Sequence, residues 1–153
     1  MKIRKFSLNA ALLLSAVFTH SANAQSSEAQ AETNKKVVLA FYDAALVQLD
    51  ADKALAYIGS KYIQHNPIAP DGVEGLKGLI KFLKQKYPDR KSEIKRVVAQ
   101  DDLVVLHVHS KSTPEERGNA IVDIFRLENG KIIEHWDVIQ PVPEKSANAN
   151  TMF

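Results

Sequence analysis

The stretch "NAIVDIFRLENGKIIEHWDVIQ", residues 119–140, decides the fold of this 153-residue chain. Apolar and polar residues alternate on both sides of Asn129-Gly130, which predicts two strands, 119–128 and 131–140. Asn-Gly is a strong signal for a two-residue hairpin turn. We therefore expect the two strands to pair antiparallel.

Two further strand-like runs precede this hairpin. "KSEIKRVVAQ" covers residues 91–100, and "LVVLHVHSK" covers residues 103–111. The two acids between them, Asp101 and Asp102, leave room for only a tight turn, whereas the polar segment "STPEERG" leads into the hairpin. The second half of the chain is therefore predicted to be a four-stranded antiparallel meander.

The first half of the chain has helical periodicity instead. Apolar residues at helical spacing predict a helix over 33–50, beginning at Thr33 or Asn34, and another over 75–88, ended by Pro88. Between them we predict a short helix over 53–59, an extended segment over 60–67 and a turn over 68–75. Helices followed by antiparallel strands favour the α+β class, with the helices packed on one face of a curved sheet.

The first 24 residues are typical of a secretory signal peptide. Lys2, Arg4 and Lys5 precede the apolar run "LNAALLLSAVF", and the small-x-small sequence of residues 22–24 follows it. The apolar run is shorter than the roughly 20 residues that span a bilayer. We therefore predict cleavage after Ala24, a periplasmic or secreted protein and no membrane segment afterwards. The predicted organisation is a signal peptide (1–24), a polar linker (25–33), one domain (34–143) and a tail (144–153).

Composition excludes several function classes. Without the three leader cations, the 20 Lys and Arg residues become 17, against 18 Asp and Glu residues. A near-neutral chain without a basic patch is not expected to bind nucleic acid. The absence of cysteine excludes a disulfide framework, a thiol nucleophile and a cysteine-ligated zinc site.

Polar residues stand in the predicted strands where core residues are usual. Side chains two apart on a strand share a face, so His107 lies beside His109, and His135 lies beside Asp137. Asp123 interrupts an apolar row formed by Ile121, Phe125 and Leu127. A carboxyl group in such a row must be hydrogen-bonded, protonated or facing a cavity, because burying it without a partner is costly.

Each of these residues also has a purely structural interpretation. Asp123 could pair with a neighbouring Arg or Lys, His107 and His109 could be ordinary strand histidines, Trp136 could be core, and His65 could cap its turn. Their accumulation on one half of the domain favours a functional site.

Two segments of the sequence, together with the helical pattern of the first half of the chain, resemble a known family. "YIQHNP" (Tyr62 to Pro67) and "DIFRLENGKIIEHWDVIQPVP" (Asp123 to Pro143) resemble the SnoaL-like polyketide cyclase family of the nuclear transport factor 2-like superfamily. The resemblance extends from about Asn34 to Phe153. It implies a cone-shaped α+β barrel whose bent sheet wraps around helices and an apolar pocket, and a homodimer formed through the outer face of the sheet.

The resemblance also implies a type of chemistry. Founding members of the family close rings by intramolecular aldol condensation, without metal or covalent intermediate. It thus implies a small-molecule lyase or isomerase that needs no cofactor, with Asp123 or Asp137 as general acid/base. His65, His109 and His135 would orient that acid or donate to the oxyanion. An acid in an apolar pocket has a raised pKa and exchanges protons near neutrality, as histidine does without perturbation.

The remaining predicted site residues would contact the substrate, and they are Tyr62, Asn66, Phe125, Trp136 and His107. Two alternatives stay open from the residues alone. The same fold could be a non-catalytic module that binds a ligand or a partner. The His-x-His and His-x-Asp pairs could also bind a metal. The enzyme is favoured if one pocket contains Asp123, His109, His135 and Asp137.

Overall fold

The computed structural model describes the backbone of residues 11–153 and the side chains of residues 27–153. The predicted signal peptide, residues 1–24, therefore lies outside the described side chains, and its first ten residues lie outside the described backbone too. Its cleavage stays a prediction. Within the described part of the chain, no helix combines the length and the apolar character needed to cross a membrane.

The helical elements come first along the chain, as predicted. They are α1 (Ala11–Tyr42), a π-helical turn (Asp43–Val47), α2 (Ala51–Leu55) and α3 (Gly72–Lys86). Asp50 caps α2, since its side chain accepts a hydrogen bond from the backbone N–H of Lys53. The helix predicted over 33–50 is thus the end of α1 followed by a wider turn, a feature frequent at functional sites.

Five strands form one curved sheet in the order β1-β5-β4-β3-β2. Their bounds are β1 (Ile58–Gln64), β2 (Lys91–Gln100), β3 (Leu103–Lys111), β4 (Asn119–Glu128) and β5 (Lys131–Pro141). Strands β2 to β5 form the predicted antiparallel meander, and β1 joins β5 in parallel. The α+β class with a mostly antiparallel sheet is confirmed. The sheet ends at β1 and β2 and is not closed, so the cone is an open one.

The hairpin turn between β4 and β5 and a β-bulge beside it together set the register of the site. Asn129 and Gly130 both have positive φ angles, 51° and 72°, as a two-residue primed turn requires. Past the turn, Leu127 pairs with Ile132 but Arg126 pairs with Glu134, so Ile133 is the extra residue of a β-bulge. The bulge shifts the register by one residue, and Asp123 therefore lies directly opposite Asp137.

The core lies between the helices and the inner, concave face of the sheet. On β3 the inner face consists of Val104, Leu106 and Val108, which have no exposed surface. Phe41 of α1 packs edge-on against Phe125 of β4, with ring centroids 5.7 Å apart. Burial of this apolar surface holds α1 against the sheet, and the core stops where the cavity described next begins.

Candidate functional site

An apolar cavity of about 530 Å³ opens between the inner face of the sheet, the end of α1 and α3. Three large apolar side chains at this cavity are exposed: Ile68, Phe82 and Ile139, at 86%, 49% and 43%. Exposed apolar surface of this kind is typical of a ligand entrance. The cavity is large enough for a small organic molecule of a few rings.

Three titratable side chains converge at the cavity: Asp123, His135 and Asp137. One ligand atom from each of the three lies within 4.8 Å of the others. The His135 Nε2 atom is 3.2 Å from Asp123 Oδ1, and both side chains are almost fully buried. The predicted convergence is therefore present for these three residues.

The hydrogen bonds of Gln64 determine where His135 carries its proton. The Gln64 Oε1 atom accepts from the backbone N–H of Asn66 at 2.9 Å, which fixes that atom as an acceptor. The same oxygen is 3.0 Å from His135 Nδ1. Nδ1 must therefore carry a hydrogen, and Nε2 faces Asp123. A proton between His135 Nε2 and Asp123 Oδ1 can be held by either atom of this contact.

Asp123 is the acid with the perturbed protonation equilibrium. Burial raises the pKa of its carboxyl group, the hydrogen bond and charge of His135 partly offset this rise, and the charge of Asp137 adds to it. Its second oxygen, Oδ2, is buried and has no hydrogen-bond partner within the part of the chain whose side chains are described. An unpartnered carboxyl oxygen with a raised pKa, in a residue that lines the cavity, can accept a proton from a ligand there.

Asp137 is held differently. The Asn66 Nδ2 atom donates to Asp137 Oδ2 at 2.7 Å, and Asn66 Oδ1 accepts from the backbone N–H of Ile68 at 2.9 Å. The Ile68 N–H fixes the orientation of the Asn66 amide. Asp137 is therefore kept as a hydrogen-bond acceptor beside the Asp123–His135 pair.

Two buried tyrosines complete the polar lining. Burial raises the pKa of Tyr62 and of Tyr42, and the charge of Asp123 raises both further, so each keeps its hydroxyl proton. The Tyr62 hydroxyl accepts from Gln64 Nε2 at 3.3 Å. Its own O–H remains able to donate to a ligand.

Four of the predicted site residues do not reach the cavity, and their predicted place in the site is corrected. His107 and His109 lie on the outer face of β3, since the inner face is taken by Leu106 and Val108. They stack instead against the C-terminal Phe153, with ring centroids 5.6 and 4.2 Å away.

His65 and Trp136 also lie on the outside. Their rings stack with centroids 4.8 Å apart, and His65 Nε2 is 2.8 Å from Glu134 Oε1. Trp136 follows the inward-facing His135 and so points to the opposite face. Of the other predicted residues, Tyr62, Asn66 and Phe125 line the cavity as expected.

Sequence reasoning missed three polar side chains of the lining: Tyr42, Gln64 and Arg90. Gln64 had a readable signal, since it stands two residues after Tyr62 and so shares its face of β1. Tyr42 and Arg90 had none, because their positions depend on how α1 and the segment after α3 pack against the sheet.

The same three converging residues could also hold a divalent cation. They offer one imidazole nitrogen and two carboxyl groups, a donor set that suits zinc or iron. The hydrogen bond from His135 Nδ1 to Gln64 is the kind of second contact that orients a histidine ligand.

Comparison with known proteins places the chain in a family. The model of the SnoaL-like domain matches residues 38–135, more than half of the chain. The chain belongs to the SnoaL-like domain family. No match is found among the curated proteins.

Solved structures show the same SnoaL-like fold at low sequence identity. A proposed polyketide cyclase from Bacillus cereus is 20% identical, with a TM-score of 0.61 over 70% of this chain and 74% of its own. AclR from Streptomyces galilaeus, described as a proposed hydroxylase, is 19% identical, with a TM-score of 0.60 over 74% of this chain and 82% of its own. IdmH from Streptomyces antibioticus, a proposed polyketide cyclase, is 19% identical, with a TM-score of 0.58 over 69% and 91%. At these identities the likeness concerns the fold alone.

Proposed function

We propose that this SnoaL-like chain is a small-molecule enzyme that moves a proton next to a carbonyl group, as an aldol cyclase or an isomerase does. The observation that carries the proposal is the buried Asp123–His135 pair at the wall of an apolar cavity. The Oδ1–Nε2 contact of the pair can hold a proton, and Asp123 Oδ2 has no partner among the described side chains. Metal and cofactor have no part in the proposed step.

The proposed reaction begins with removal of a proton from a carbon next to a ketone. The proton passes to Oδ2 of the ionised Asp123 carboxylate, whose Oδ1 stays in contact with His135 Nε2, and the C–H electron pair becomes the carbon–carbon double bond of an enolate, with the negative charge on the former ketone oxygen. The Tyr62 hydroxyl, which accepts from Gln64, donates to that oxygen. The enolate carbon then attacks a second carbonyl in the same molecule and closes a ring, and the alkoxide formed there takes the proton back from Asp123. In an isomerisation, Asp123 instead returns the proton to another position of the substrate.

Neighbouring residues would hold Asp123 and His135 in the orientation that the reaction needs. Gln64 keeps the Nδ1 hydrogen of His135 fixed, so that Nε2 faces Asp123 in every turnover. Asp137 is held by Asn66, and its negative charge favours the protonated form of Asp123. We therefore assign the acid/base role to Asp123 and an electrostatic role to Asp137.

A deuterium-exchange assay tests the proposal without knowledge of the natural substrate. The residue 25–153 protein is incubated in D₂O with cyclic aryl ketones such as 1-tetralone, and deuterium at the α-carbon is followed by NMR. Asp123→Asn is expected to lower the enzymatic exchange rate by about 10²- to 10⁴-fold. The matched control is Glu93→Gln, because Glu93 is a sheet carboxylate outside the cavity. Equal loss in both variants, or exchange that Asp123→Asn leaves unchanged, contradicts the assignment.

The alternative is a binding module of the same fold, and the apolar entrance supports it as well as it supports an enzyme. Ligand-induced stabilisation without any exchange in several ketones would favour this alternative. A rise in Tm with zinc that is lost in Asp137→Asn would instead favour a metal centre.

We further propose that the protein acts as an exported homodimer. The outer face of the sheet exposes Val98 and Val138, at 63% and 68%, together with Val122. Apolar side chains exposed on three strands of one face support a contact between two copies of this face. Export to the periplasm or the exterior rests on the signal-like residues 1–24.

A further inference from the structure

Arg90 is the cation of the cavity. It lies just after α3, and it is the one Arg or Lys among the residues that line the cavity. Arg90 Nη2 donates to the Ser110 hydroxyl at 3.0 Å, and Nη1 donates to the Leu46 carbonyl at the end of the π-helical turn. The guanidinium is thus held between the helix end and β3 in a defined orientation.

The charge of Arg90 has no ion-pair partner within the side chains that the structure describes. Residues 1–26 contain no Asp or Glu that could supply one. A guanidinium has five N–H donors, and only two of those on Arg90 have acceptors in the described part of the chain. Partial burial lowers the pKa of Arg90, and the group keeps its charge at all ordinary pH values.

The positive side chain of Arg90 and the negative side chain of Asp137 lie at opposite ends of the cavity. Asp137 lies on β5, Asp123 lies opposite it on the neighbouring β4, and Ser110, which accepts from Arg90, lies on β3. Across the sheet, Asp123 therefore lies between Asp137 and the Arg90 end. An anionic group would be attracted to the Arg90 end and repelled from the Asp137 end, which leaves the middle of a ligand beside Asp123.

We propose that the substrate is an apolar keto acid whose carboxylate binds Arg90. The planar guanidinium suits a carboxylate, since two parallel N–H groups can bind its two oxygens. The ketone and its α-carbon would then lie at Asp123, and the apolar part of the molecule would extend toward Phe82 and Ile139 at the entrance. This inference rests on the proposal that the cavity is the substrate site, and it adds the class of substrate.

Matched ligands test the inference on the unmodified residue 25–153 protein. The probes are 4-oxo-4-phenylbutanoic acid and its primary amide, which differ only in charge at one end. Calorimetric titration is expected to show that the acid binds about tenfold or more tightly than the amide, since hydrogen bonds to charged groups are the stronger ones. Equal affinities would overturn the role of Arg90 while leaving the cavity as the binding site.

Variants of Arg90 test whether the carboxylate of the acid probe binds to this residue. Arg90→Gln is expected to abolish the preference for the acid, and Arg90→Lys, which keeps the charge, to retain part of it. Lys91→Gln is the matched control, because Lys91 lies beside Arg90 in a surface groove outside the cavity. Loss of the preference in Lys91→Gln, or its survival in Arg90→Gln, would overturn the proposal. Circular dichroism checks that each variant is folded, and the comparison of acid with amide needs no variant.

One further variant separates this inference from the proposed function. Gly78 lines the cavity, and a Cβ atom added there has nothing within 4 Å. Gly78→Trp is therefore expected to fill the entrance and abolish binding of both probes. If both probes bind this variant as they bind the parent, the ligand site lies elsewhere, and the proposed function and the keto-acid inference both fail.

Discussion

Replacing Asp123 by asparagine is expected to stabilise the protein at pH values above the folded-state pKa of Asp123, while removing its proton transfer. Asparagine has the shape of aspartate, and its Nδ2 can donate to His135 Nε2, so the hydrogen bond at 3.2 Å is kept. What is lost is the charge. Burial raises the pKa of Asp123, which means that the ionised carboxyl group costs folding free energy.

The sign of the pH dependence follows from this raised pKa. An unfolded aspartate ionises near pH 3.9, whereas the folded chain keeps the Asp123 proton to higher pH. Between those two values the folded state binds more protons, so this residue makes wild-type stability fall as pH rises through the window. The Asp123→Asn variant lacks this dependence, because an amide does not titrate there. The variant and the wild type should therefore differ least at acid pH and most above the folded pKa.

The magnitude can be worked from the charge that the variant removes. A buried polar group without a partner costs about 1–3 kcal/mol, and more when it is charged, whereas the amide oxygen of asparagine at the same place is neutral, so the difference is about 1 kcal/mol. For a domain of this size that corresponds to about 4 °C in Tm. Thermal melts of both proteins from about pH 5 to about pH 8 measure it. A variant that is less stable at every pH would show that Asp123 is a structural partner of His135, and the acid/base role would be refuted.

Three further predictions follow from the same geometry. Gln64→Leu leaves the His135 Nδ1 hydrogen without its acceptor. The variant should therefore lose about 1–3 kcal/mol of folding stability and exchange deuterium into the ketone about tenfold more slowly. An unchanged exchange rate would contradict the tautomer assigned to His135. Gly78→Ala should raise Tm slightly, because alanine stabilises a helix by about 1 kcal/mol over glycine and the added Cβ meets open space; a lower Tm would mean that the α3 face is packed. Val138→Glu should convert a homodimer into a monomer in light scattering, and a monomeric parent would refute the dimer.

The alternation of residues determined most of the fold. Four strands were readable because each run of the meander has a period of two and is bounded by turn residues, and Asn129-Gly130 places Glu128 opposite Lys131. Turn chemistry alone would continue this register and place Asp123 opposite Trp136. The β-bulge at Ile133 shifts the register by one residue and brings Asp123 opposite Asp137, so the pair of acids at the cavity depends on a bulge that the sequence pattern did not predict.

The same alternation, read fully, would have excluded the histidines of β3. In "LVVLHVHSK" the apolar residues Val104, Leu106 and Val108 share one face, and His107 and His109 occupy the other. Gln64 was equally readable, two residues from Tyr62.

The tertiary structure alone decided the rest. Packing between segments distant in the sequence decides whether His135 reaches Asp123 and which atom of Gln64 it meets. The same packing lets the carbonyl of Leu46 and the hydroxyl of Ser110 hold Arg90. The volume of the cavity depends on where α1 and α3 rest on the curved sheet. Sequence periodicity reports which face a side chain occupies, because that is a local backbone property. The distance between two faces is set by the packing of the whole core, and that packing is what brings Asp123, His135 and Arg90 to the wall of one cavity.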